Sequence, residues 1–146
     1  MSDFAPNLPY EVTQDDRTMA VLAQVLQIVG SWIAPLIIFL IRRDSLFVKF
    51  HALQALILQV CLTALWMIGG MVFMGTMFAT MPSSNASPHS APPLAVMVLF
   101  PMFWLLAMGG WAVILVVAIV YGIKAGRGEW ASYPLIGGVA RHFLKM

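Results

Sequence analysis

From Val48 to Ala79 the chain reads VKFHALQALILQVCLTALWMIGGMVFMGTMFA, with Lys49 at its start as the one Lys, Arg, Asp or Glu in the run. As a helix this stretch is roughly 48 Å long, more than the ~30 Å hydrocarbon core of a bilayer requires, so tilt or an interfacial first turn is expected. Around it the same pattern continues. No Lys, Arg, Asp or Glu falls between Phe50 and Tyr121, and the carboxylates and Lys/Arg residues all lie in tails or at the ends of apolar runs. The composition agrees: 61% of the 146 residues are hydrophobic and 10% are charged, against roughly 25% charged in soluble domains. A surface so poor in charge is suited to lipid and not to water.

Two further runs complete the pattern. Thr18–Ile41 is about 24 residues, or roughly 36 Å as a helix, long enough to cross a membrane. It contains Gly30, Ser31 and Pro35, so a kink is expected near Gly30–Ser31; a sharper break would instead make a two-piece or re-entrant element. Leu94–Ile123 is the third run, with Pro101 marking a kink or the true start of the regular helix. Between the second and third runs, MPSSNASPHSAPP (81–93) is a loop by composition. Its Asn85-Ala86-Ser87 matches a glycosylation sequon of little weight, since such short matches arise by chance.

These readings predict an all-α integral membrane protein with three transmembrane helices, about 18–41, 48–79 and 94–123. A polar, acidic amino-terminal tail (1–17) would precede them and a basic tail (124–146) would follow. The amino-terminal tail lacks the basic stretch and apolar core of a cleaved leader, so the first run is expected to be retained. Ser45 is the expected N-cap of the second helix, with Phe47, Phe50 and the Lys49 stem suited to the interfacial zone. Gly126 and Gly128 end the third helix, and Leu135–Leu144 is expected as a short helix on the lipid surface. Trp130 fits the headgroup level. Cys61, the single cysteine, reads as a small buried hydrophobe.

With three spans, the first loop and the carboxyl tail share a side. That side holds Arg42, Arg43, Lys49, Lys124, Arg127, Arg141 and Lys145, against Arg17 alone on the other. The positive-inside rule then puts the carboxyl terminus in the cytoplasm and the amino terminus outside. If the first run returns to its own side, the amino tail moves inside.

Polar residues within apolar runs are the natural candidates for function. Gln24, Gln27 and Ser31 recur at helical spacing in the first run. His51 and Gln54 share a face of the second, with Gln59 and Thr63 deeper. Such a seam meets another helix, a partner or a water path, or it holds a small bundle together at about 1 kcal/mol per contact. Chemistry is harder to find. There is no intramembrane Asp or Glu for proton coupling, no Ser/His/Asp set at one depth, and no glycine-rich phosphate loop. His51 has no second donor at matching depth to hold haem or a metal. No cofactor, metal ligand or catalytic residue is therefore expected, and the protein is read as a non-enzyme.

Four motifs carry a family resemblance. They are Asp15–Ala20 before the first run, Ala34–Ile38 with Arg42-Arg43-Asp44 closing it, Phe47–Ala55 opening the second, and Gly128-Glu129-Trp130 with Tyr133–Gly137 after the third. Together they resemble a widespread bacterial family of small membrane proteins of unknown function, distantly similar to the twenty-kilodalton subunit of the chloroplast inner-envelope protein translocon. The resemblance implies a helical bundle in a bacterial inner membrane and a cluster built from the first loop and the tail. It brings His51 and Gln54 into whatever the family does. The candidate interaction residues are then Gln24, Gln27, His51, Gln54, Glu129 and Tyr133. Expected partners are membrane lipid and other membrane subunits or a second copy, with no nucleic acid. A scaffold or accessory subunit is the leading functional expectation, and a pore or translocation component the alternative.

Overall fold

The computed structural model describes residues 11–80, 94–134 and 136–144, and its elements there are helices α1 (Gln14–Gly30), α2 (Ile33–Ile41), α3 (Leu46–Ala79), α4 (Leu94–Gly126) and α5 (Ile136–Leu144). The amino-terminal ten residues and the 81–93 loop, with its sequon, lie outside the described residues.

Of these helices α3 and α4 are long and apolar enough to cross a membrane, and only 11% of the residues in the most apolar window of each are buried. The core helix of a soluble protein would be mostly covered. Two helices can span, not three. The expected first span fails because the chain breaks at Ser31–Trp32.

Local geometry explains the break. Ser31 has φ 50 and ψ −137, and Trp32 has φ −73 and ψ −19. These are close to the central angles of a type II′ turn, whose first central position normally takes glycine. The turn folds α2 back on α1 so tightly that a Cβ on Gly30 would come within 2.7 Å of the Ala34 Cβ. At the opposite end, Arg42 after α2 forms an ion pair with Asp15 in the first turn of α1. The start of α1 and the end of α2 are therefore neighbours, and the run is a hairpin. Pro35 is not the cause of the break. It sits in the first turn of α2, where a backbone N–H has no helical partner in any case.

The caps follow sequence rules. Thr13 and Asp16 form a reciprocal capping box on α1: the Asp16 amide donates to Thr13 Oγ1 at 3.1 Å, and the Thr13 amide donates to Asp16 Oδ2 at 3.1 Å. Burial pushes the Asp16 carboxyl up, but hydrogen bonds from Thr13 and Ser45 outweigh it and hold the group below its ordinary value. Ser45 caps α3 as expected, accepting from the Val48 amide at 3.3 Å. α4 closes in a Schellman turn. The Glu129 amide donates to the Lys124 carbonyl at 3.0 Å and the Gly128 amide to the Ala125 carbonyl at 2.9 Å, with Gly128 at φ 78. α4 also begins seven residues before Pro101, which lies inside the helix and not at its start.

Two compact units divide the chain. The first comprises residues 1–61 and 113–146. Its core joins Ala20, Phe47, Phe50, Ala125, Trp130 and Ala140, with a second cluster of Ala23, Ile38, Val48 and Ala52. Phe47, Phe50 and Trp130 are thus core residues, not the interfacial anchors the sequence implied, because the 127–134 segment folds over the start of α3. α5 packs its Gly137 and Ala140 face inward. The second unit, Leu62–Ala112, pairs the ends of α3 and α4 through aromatic contacts, Trp66 edge-on to Phe103 at 4.9 Å and Phe73 stacked on Phe103 at 5.2 Å. Cys61, expected to be buried, is exposed on the outside of α3.

The turn predicts a measurable strain. Replacing Ser31 with Gly relieves a backbone conformation that L-residues rarely adopt and should raise stability by about 1 kcal/mol, whereas Ser31→Val should lower it by more. Pro35→Ala should leave the break in place. Thermal unfolding in detergent ranks the three variants; a stabilised Pro35→Ala with an unchanged Ser31→Gly would mean that the proline makes the break.

Candidate functional site

The sequence candidates converge in the first unit. Gln24, Gln27, His51 and Gln54 are essentially fully buried, and Tyr133 nearly so. The Schellman turn after α4 delivers the 129–133 segment onto α3, and Gly128 is needed there twice. Its φ is positive, and a Cβ would come within 3.0 Å of Arg17 Nε.

Three bonds tie that segment to α3. His51 Nε2 lies 3.1 Å from the Glu129 carbonyl oxygen. Gln54 Nε2 donates to the Ala131 carbonyl at 3.3 Å, and Gln54 Oε1 accepts from the Tyr133 amide at 2.5 Å. Gln54 therefore pairs with the tail as a neighbouring strand would. The remaining bonds run to α1. The Tyr133 hydroxyl donates to Gln24 Oε1, Gln24 Nε2 donates to the His51 carbonyl at 3.3 Å, and Gln27 Nε2 donates to Gln24 Oε1 at 3.2 Å. Deeper along α3, Gln59 Nε2 donates to the Gln27 carbonyl at 3.0 Å. Burial pushes the Tyr133 hydroxyl well above its ordinary range, so it stays protonated and acts as a donor.

His51 is enclosed by aromatic rings, edge-on to Phe47 at 4.7 Å and to Phe50 at 5.6 Å. A carbonyl oxygen only accepts, so Nε2 carries the hydrogen. Nδ1 is buried and has no hydrogen-bond partner. The ring is thus held as the Nε2–H tautomer with a bare Nδ1.

Glu129 enters differently from its sequence reading. Its backbone carbonyl meets His51, while its carboxylate lies 3.9 Å from Arg127. Ser31 does not join the seam, being consumed by the turn. The sequence reading missed the outer edge of the junction, where the Tyr121 hydroxyl donates to the Ser132 carbonyl at 3.3 Å and Arg141 donates to Ser132 Oγ at 3.2 Å. Nothing in the spacing of Tyr121, Ser132 and Arg141 singles them out, because a backbone turn creates their proximity. Among the described residues no group of three or more His, Cys, Asp or Glu side chains could hold a metal ion.

These features define a class: a small helical membrane protein whose glutamines, histidine and tyrosine are turned inward and bonded to one another. The chain belongs to the MamF/MmsF family, the magnetosome magnetite crystal formation protein family, whose model matches residues 15–140. The motifs implied a family of small membrane proteins, and that holds; the match lends no support to kinship with the chloroplast translocon subunit. No curated protein and no solved structure matches the chain.

Gln24 is the hub, so Gln24→Leu removes the acceptor that the Tyr133 hydroxyl and the Gln27 amide share in the core. It should cost roughly 2–4 kcal/mol, against about 1 kcal/mol for Tyr133→Phe, which removes a donor that Gln27 partly replaces. Unfolding of both variants in detergent tests the order. Nitrogen NMR of labelled histidine should show a protonated Nε2 and a bare Nδ1 at position 51; the reverse tautomer would rule out the Glu129 bond.

Proposed function

We propose that this chain is a non-catalytic membrane component that supports magnetite crystal formation as a rigid helical scaffold. The observation that carries the reading is the family match, which covers nearly all of the described fold. The geometry supports a scaffold over a conduit. A pore or translocation path along the glutamine face would need that face open to water, whereas its residues are buried and most of their polar groups bond to backbone or to one another within one chain. The outward surfaces of α3 and α4 are apolar and exposed, leaving them available to lipid, to other membrane subunits or to a second copy.

The hairpin changes the expected topology. Because Asp15 meets Arg42, the start of α1 lies beside the Arg42–Asp44 loop, and in this reading Arg17 counts with the other cations instead of against them. On this reading the positive-inside rule favours the cytoplasmic side of a bacterial membrane for both ends of the chain.

Two experiments test this reading. Reporters active only in the cytoplasm should give signal when fused at either end, and an exported amino terminus would overturn the topology. In a magnetite-forming host that carries the gene, deletion should alter crystal size or shape in electron micrographs. The unaltered gene should restore them and Gln24→Leu should restore them poorly. Normal crystals after deletion would remove the proposed role.

A further inference from the structure

The α1–α2 hairpin has an outer coat that the polar junction does not use. On α1, Leu22, Val25, Leu26 and Val29 follow one another at helical spacing and are all exposed, opposite the buried Ala20, Ala23, Gln24 and Gln27. α2 continues the coat with Ile33, Ile37, Leu40 and Ile41. At the tip Val29 is 90% exposed, with Trp32 and Ile33 exposed beside it. No Lys, Arg, Asp or Glu lies between Arg17 and Arg42. Polar groups in and apolar groups out is the arrangement of a body immersed in hydrocarbon, since water would penalise a continuous apolar coat.

The opposite end of the hairpin is charged. Asp15 pairs with Arg42, and Arg43 and Asp44 follow, both exposed. These groups belong at the headgroups. α2 has nine residues, roughly 14 Å of helix, about half the ~30 Å hydrocarbon thickness. α1 runs 13 residues beyond Arg17, roughly 20 Å, so a hairpin with its charged end at one surface places its tip inside the hydrocarbon, short of the far surface, and returns.

We propose that the α1–α2 hairpin is a wedge inserted in one leaflet, the one on the side of the Arg42–Asp44 loop, and that it confers a membrane-bending activity. Its partner is the lipid of that leaflet. An element that occupies one leaflet adds lateral area there and none to the other. The membrane relaxes by becoming convex on the inserted side, and the protein accumulates where that curvature already exists. α5 lies against the same unit through Ala140 and exposes Val139 and Phe143 beside His142, a composition that enlarges the insertion at headgroup depth. The inference does not rest on the mineral role and holds or fails without it.

The test uses the full chain, dye-labelled on its amino terminus and reconstituted into phosphatidylcholine vesicles extruded to about 50 nm and about 400 nm, a range over which curvature-sensitive insertion differs. Protein per unit of lipid area should be several-fold higher on the small vesicles. Val29→Asp, at a tip position that touches no packed neighbour, should lose that preference while keeping its melting temperature. Wild-type density independent of vesicle size would overturn the proposal, and so would equal preference in the two proteins. Depth is read separately with Val29→Cys in a Cys61→Ser chain. The thiol should resist impermeant maleimide from both sides and be quenched by lipids brominated near their chain ends. Labelling from the far side would mean a true span, labelling from the near side a hairpin outside the lipid, and either result would overturn the wedge even if Val29→Asp failed to fold.

Discussion

A polar side chain held in or near hydrocarbon must find its partner inside the protein, and most of this structure follows from how Gln24, Gln54 and His51 do so. A glutamine brings two donors and an acceptor into the core. No apolar neighbour can satisfy them. Here the acceptors and donors come from backbone: Gln54 takes the amide of Tyr133 and gives to the carbonyl of Ala131, and His51 uses the carbonyl of Glu129. The 129–133 segment has irregular backbone that would itself be costly in a dry interior. Each side supplies what the other lacks, so the segment and the seam require one another.

That dependence explains why the core of the first unit is built as it is. Alanines at 20, 23, 52, 55 and 125 keep the helices close, close enough for a glutamine on one helix to reach backbone on the next segment. Phe47, Phe50 and Trp130 then fill the remaining volume around His51. Gly128 permits the reversal before Tyr133, and Gly137 lets the start of α5 approach Ser132 closely. At position 137 the constraint is severe, because a Cβ would overlap the Ser132 hydroxyl.

Much of this was legible from sequence because the signals were local. Charge exclusion between Phe50 and Tyr121, the Ser45 cap and the Gly126–Gly128 stop are all read within a few residues of where they act. The polar candidates were visible for the same reason: Gln24, Gln27, His51 and Gln54 stand out against an apolar background. What failed was the first run. Its length and hydropathy satisfy a span, and the deciding event is one non-glycine residue, Ser31, taking a conformation that its side chain disfavours. The Asp15–Arg42 pair closes the far end of the hairpin that this turn begins. Trp130 failed similarly. A tryptophan next to Lys124 and Arg127 fits a headgroup position, and only the Schellman turn shows that the chain reverses and carries it inward.

The bond between Tyr133 and Gln24 joins residues 109 positions apart, and this has a consequence for the order of assembly. A ribosome feeding the chain into a membrane releases α1 long before it makes the tail. Through all of that interval Gln54 lacks its partners on the 129–133 segment, and Gln24 lacks the Tyr133 hydroxyl. Only when Tyr133 emerges does the junction close. The 129–133 segment is thus the clasp of the fold, and a chain cut short before it carries α1 to α4 but no completed interior.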